Sequence, residues 1–313
     1  MKNRNTGSFL ILLASAAILT SCATKKVQVV GDGIEIIDTH IHLYDAHRAA
    51  GVDWPPASDK VLFRPVLPEH YDALCRANGI DATVIVEASS RVEDNQWVLD
   101  LVKHNPQRYV ALVGSLPIGS DGFAALLERY SKDGRYVGIR MRDRPGGDDF
   151  FTDAVWRDLA LLSKKNLTLD VLLANFTLED VDMIAGRLPG LKILVNHVTG
   201  LTITGKAAQP AWAETVRKAA AHKNVYCKVS GIFQRSGKMP APKELSYYAP
   251  IFKVVYEAFG EDRIIYGSNW PVTDRGGTYA EQLSVIHDFF APEGERVLRK
   301  LFALNARKFY GLK

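Results

Sequence analysis

Two of the eight histidines in this 313-residue chain stand as H-x-H, His40 and His42, at the end of an apolar, β-branched run (EIIDTHIH, 35–42). Side chains two apart in a strand share a face, so both imidazoles point to one side. His197 closes another such run (KILVNHV, 192–198), Lys228 and Ser230 are two apart in a third (VYCKVSGI, 225–232), and Arg140 and Arg142 in a fourth (VGIRMR, 137–142). Asn269 and Trp270 follow a fifth run (264–268), and Glu87 sits near the end of a sixth (DATVIVEAS, 81–89). An isolated histidine is more often a hydrogen-bonded core residue than a ligand. The H-x-H pair together with His197 favours a shared pocket, and three imidazoles converging there could bind one divalent metal, zinc or manganese, leaving a position open for water or substrate. Metal-independent use of the same rings is the other reading.

The remaining polar residues have two readings each. Lys228 within an apolar strand is costly unless it faces an anion, which makes it a pocket cation for a substrate or intermediate. Arg140 and Arg142 form either an inward ion-pairing layer or a carboxylate clamp. Glu87 is either a further metal carboxylate or the partner of Lys228 or an arginine. Ser230 is a candidate substrate contact, and Trp54, Phe233 and Trp270 are apolar walls or ordinary loop anchors.

Elements that could hold these residues recur along the chain. Eight β-rich runs (35–42, 81–89, 109–116, 137–142, 167–173, 192–198, 225–232 and 264–268) alternate with segments of helical spacing, the last predicted over 293–310. Nearly continuous apolar strands separated by helices imply a parallel sheet, and eight such units predict a (β/α)8 barrel, whose chemistry lies at the C-terminal ends of its strands. All the candidate residues above lie there. An open doubly wound sheet is the rival, but no G-x-G-x-x-G turn follows the first strand. The irregular stretch 45–67 lies directly after the first strand, and a loop of that length is usually functional.

The charge is +4, with 39 Lys and Arg against 35 Asp and Glu, too slight a balance for a nucleic-acid binder. Three cysteines make no disulfide framework, and Cys75 and Cys227 are expected to be buried and unpaired. Lys2 and Arg4 precede an apolar run, FLILLASAAILT (9–20), of signal-peptide length. The run ends in Leu19-Thr20-Ser21-Cys22, which resembles the bacterial lipobox. That resemblance implies a leader over 1–21, lipidation of Cys22, a tether over 22–33 and one exported domain over 34–313. The domain would then meet the cell-envelope membrane only through the lipid.

The motifs IDTHIHLYD (37–45), VGIRMR (137–142), LVNHVTG (194–200), VYCKVSGI (225–232), YGSNWPV (266–272) and NARKFYGL (305–312) resemble the amidohydrolase superfamily. Within it the chain is similar to the amidohydrolase-related group of sugar-lactone and pyrone-dicarboxylate lactonases. The resemblance implies a distorted barrel that hydrolyses a small cyclic ester. It casts His40, His42, His197 and Lys228 as catalytic, with Asn269 in place of the strand-8 acid. Water would attack from the side of residue 269, and Lys228 and His197 would stabilise the oxyanion. An amide cannot act as a general base near neutral pH. The base is therefore expected at Asp274 or a histidine, unless a metal hydroxide needs none. A metal-dependent decarboxylase and a ligand-binding lipoprotein without turnover are the alternative functions.

Overall fold

The computed structural model describes residues 33–313, so the expected leader, the Cys22 anchor and the tether up to Asp32 lie outside the described residues. Eight strands, β1 (Ile37–Ile41), β2 (Ala82–Val86), β3 (Tyr109–Gly114), β4 (Tyr136–Met141), β5 (Thr168–Val171), β6 (Lys192–Val195), β7 (Val225–Val229) and β8 (Ile264–Tyr266), pair in chain order, every pair parallel. Each lies on one of the eight apolar runs. Almost every strand residue is buried, because helices cover the outside while facing strands fill the inside. The barrel closes between β1 and β8 through His42 N to Trp270 O (2.9 Å), Asn269 N to His40 O (2.7 Å) and Thr39 Oγ1 to Tyr266 O (2.6 Å). That seam is made by the residues that carry the H-x-H pair and Asn269.

Inside the barrel, Ile37, Val84, Val86, Val113, Leu194 and Ile265 form one apolar cluster, closed at the N-terminal end by Phe309 and Tyr310. The second core lies between the sheet and its helices. The helix predicted over 293–310 is interrupted: Glu295–Arg299 and Asn305–Tyr310 are joined by a π-turn at Lys300–Leu304. Asn305 donates to the carbonyls of Glu261 and Ile264 at the foot of β8, anchoring the second segment there, so the widened turn has a tertiary cause. Both Cys75 and Cys227 are buried and free, as expected. Among the described residues no helix is long and apolar enough to cross a membrane.

Candidate active site

His40 and His42 face the barrel interior only because β1 breaks its alternation. Asp38 has the same parity, yet its carboxylate lies against the helical shell, accepting from Tyr71 (2.7 Å) and Tyr279 (2.9 Å). The register shifts between Asp38 and Ile41, and a bulge of this kind re-aims the side chains that follow it. The other Asp38 oxygen accepts from the His40 and Ser268 amides (3.1 and 2.8 Å) and so fastens the pair to the strand that carries Asn269. His197, Val198 and Thr199 all adopt left-handed φ (56°, 45° and 64°), as does Asn269 (60°). Such a conformation is costly for β-branched Val198 and persists only where the surroundings enforce it, typically at functional sites. Gly231 is required here too: its φ is +60°, and a Cβ would stand 2.7 Å from His197 Nδ1.

The three rings converge, His40 lying 5.0 Å from His42 and 4.5 Å from His197 between centroids. His42 and His197 line a chamber of about 180 Å3 together with Trp54, Arg140, Arg142, Gln234 and Asn269. His40 lies behind them, buried, its Nε2 without a hydrogen-bond partner. Burial drives all three imidazoles toward the neutral form, His42 down to about 3 with Arg140 as the second cause. For His40 the Lys228 ammonium adds to burial, and for His197 the Arg235 guanidinium does.

The hydrogen-bond partners of His42 and His40 favour one tautomer of each ring. His42 Nδ1 meets the Val86 and Glu87 carbonyls (3.0 and 3.1 Å), so it donates and leaves a lone pair on Nε2. That lone pair faces Asn269 Oδ1 at 3.2 Å, whose amide nitrogen donates to Gln234. With the amide oxygen on that side, two acceptors stand together at the edge of the chamber, an arrangement that one water donating to both would satisfy. At His40 the Lys228 ammonium stands 3.4 Å from Nδ1, which disfavours a ring proton there and leaves it on Nε2.

Lys228 itself does not line the chamber. Fully buried beneath His40, it donates to Asp170 (2.8 Å) and the Thr39 carbonyl (2.9 Å), while Tyr310 contacts both Lys228 and Asp170 at 3.1 Å. Burial lowers its affinity for the proton and Asp170 works against that. The expected pocket cation is therefore a support for His40. Several other expected contacts move in the same way. Ser230 is buried and hydrogen-bonds His197 Nδ1 (2.9 Å), and Trp270 packs on Tyr71 outside the chamber. Asp274 pairs with Arg64 (2.9 Å), away from the chamber and so not placed as the base. Arg140 is not a free clamp: Glu87 holds it at 2.6 Å, which also takes Glu87 away from the histidines. Arg142 is looser, 3.6 Å from Glu87 and 3.2 Å from Asp143. Trp54, from the long first loop, does form a wall, its ring 5.5 Å from His42. Sequence reasoning missed Gln234, Leu172 and Val272, which line the chamber, and the partnership of Asp170 with Lys228.

The donor set fits a divalent metal poorly. A ligating imidazole offers a lone pair, but Lys228 leaves His40 with a proton on Nε2. The carboxylate Glu87 is held by Arg140, and residue 269 is an amide. Among the described residues, no three His, Cys, Asp or Glu side chains are disposed to hold an ion.

The sequence was compared with known proteins. Residues 37–312 match the Amidohydrolase family. The L-fucono-1,5-lactonase of Burkholderia ambifaria is 28% identical over 78% of this chain and 83% of its own length. That of Burkholderia multivorans is 26% identical over 80% of this chain and 86% of its own. A solved amidohydrolase structure from Burkholderia multivorans with bound zinc superposes with a TM-score of 0.79 at 23% identity, covering 89% of this chain and 100% of that one. With the barrel, the order of its motifs and a match from β1 to the C-terminal helix in agreement, the chain belongs to the amidohydrolase family.

Proposed function

We propose that this protein hydrolyses sugar-type lactones or closely related cyclic esters, without needing a metal. The observation that carries the reading is the pair of acceptors, His42 Nε2 and Asn269 Oδ1, facing one place at the edge of the chamber. The lactonase names of the two Burkholderia relatives support the substrate class. A water whose hydrogens point to those two atoms turns its lone pair toward the lactone carbonyl. Its oxygen bonds to the acyl carbon as His42 takes a proton, and His197, which accepts the Ser230 hydroxyl proton at Nδ1 and so carries its own on Nε2, stabilises the oxyanion. The ring C–O bond then breaks, and the leaving oxygen takes the proton from His42 to give a hydroxy acid. His42 thus fills the place that Asn269, an amide, cannot.

A decarboxylase draws less support, because the arginines available to hold a substrate carboxylate already face Glu87 and Asp143. The test is acid release from a panel of 1,5-lactones, paired with elemental analysis of the same preparation. We expect turnover that survives exhaustive chelation to within about twofold. Loss of activity on chelation, restored by zinc or manganese, would return the histidines to a metal site.

The lipobox-like Leu19–Cys22 supports export and lipid anchoring at the cell envelope. Expressed in a bacterial host with labelled fatty acid, the full chain should incorporate label and Cys22→Ser should not. Equal labelling of both would remove the anchor.

A further inference from the structure

A second cavity of about 210 Å3 opens on the same face of the barrel, among the segments that follow β2, β3 and β4. Ser90, Ser115, Pro117, Asp143 and Phe150 line it, and Arg140 and Arg142 line both it and the histidine chamber of about 180 Å3. The mechanism above uses none of the residues found only in the second cavity. Each space alone falls short of the roughly 300–1,000 Å3 usual for a ligand site, whereas the two together fall within it. They are nearly equal in size and share a wall of two side chains, which suits a ligand made of two similar units.

The shared wall also limits the chemistry of the second unit. Arg140 is matched by Glu87 at 2.6 Å, and Arg142 by Asp143 at 3.2 Å and Glu87 at 3.6 Å. No cation is left over for an anionic group. What the second cavity offers is hydroxyls at Ser90 and Ser115, a carboxylate at Asp143, spare N–H groups on Arg142, and the ring of Phe150. An aromatic face beside hydroxyls and a matched ion pair suits a neutral, polyhydroxylated ring, one face of which is apolar.

Building on the lactonase reading, we propose that the site takes a two-ring lactone. Its lactone ring lies in the histidine chamber and a neutral sugar ring lies past Arg142 in the second cavity. Among simple sugar lactones, the class is the lactone of an oxidised disaccharide.

The test compares kcat/KM of the full-length protein for hexono-1,5-lactones and for the 1,5-lactones derived from cellobiose, maltose, lactose and melibiose. At least one two-ring lactone should exceed the best single-ring lactone tenfold or more, chiefly through a lower KM. Ser115→Phe and, independently, Ile118→Trp, a change at another residue lining the second cavity, place bulk there and should bring that ratio close to one. Two outcomes overturn the inference and leave the lactonase reading standing: no two-ring lactone surpassing the single-ring ones, or variants that lower both classes equally while remaining folded by circular dichroism. No turnover of any lactone would remove the lactonase reading itself.

Discussion

His42→Asn should lower kcat for lactone hydrolysis by about 10²–10⁴-fold, the usual cost of removing a general base, with the fold unchanged. Asparagine is the informative replacement because its amide can still donate to the Val86 and Glu87 carbonyls that His42 Nδ1 bonds. What disappears is the lone pair at Nε2 opposite Asn269. His42→Ala would lose the donor as well and confuse catalysis with packing. The pH profile gives an independent check. Burial holds His42 at about 3, so its lone pair is available at every pH above that value. The rate of the wild type on the acid side should therefore stay level from about pH 8 to about pH 5, where an unperturbed histidine base near 6.5 would already be more than nine-tenths protonated. A limb falling with a midpoint near 6.5 would assign the base to another group. Asn269→Asp supplies a carboxylate at the same place and should partly rescue His42→Asn. No rescue, with both variants folded, would mean that water does not attack from this side.

The arrangement behind that prediction was only partly legible in the sequence. The runs that became strands could be read because parallel strands bury both faces and leave unbroken apolar stretches, and His40, His42 and His197 could be read because imidazoles are conspicuous at the ends of such stretches. The bulge between Asp38 and Ile41 could not, since H-x-H predicts the same inward pair whether or not the preceding residue obeys the alternation. Nor could the partners. Lys228 finds Asp170 58 positions away and Tyr310 82 positions away, contacts set by barrel closure and by how far the C-terminal helix enters it. Asp170, a lone acid in the apolar run LTLDVLL (167–173), carried the same signal as Lys228. Matching two isolated opposite charges in β5 and β7, on either side of β6, was the missing step. Ser230, Trp270 and Glu87 were placed at the right end of the barrel but in contact with neighbours instead of the chamber, because strand-end position alone does not distinguish a residue that faces substrate from one that supports it.

Lys228→Met should destabilise the protein by about 3–5 kcal/mol, because it leaves Asp170 as an uncompensated buried charge. Both partners are fully buried, and Asp170 also accepts from Asn196 (3.0 Å) and Tyr310 (3.1 Å), bonds that soften the loss without neutralising the charge. For a domain of this size the loss corresponds to a fall in Tm of roughly 6–20 °C. Replacing both members, Lys228→Met with Asp170→Leu, should recover most of that stability, since apolar groups of similar volume often replace a buried ion pair at no net cost. Activity should not follow stability. Without the ammonium beside Nδ1, His40 is free to carry its proton on either nitrogen, and the donor at Nε2 is no longer enforced. The double variant should therefore unfold near the wild-type urea midpoint yet retain a kcat reduced by about tenfold or more, because His40 packs on both His42 and His197 and helps to hold them in place. A double variant that regains both stability and kcat would make the pair a packing device only. One that regains neither would mean that Asn196 and Tyr310 depend on Asp170 for their own placement. Regaining stability without rate is the signature of a buried ion pair that sets the proton on His40, the ring that positions His42 and His197.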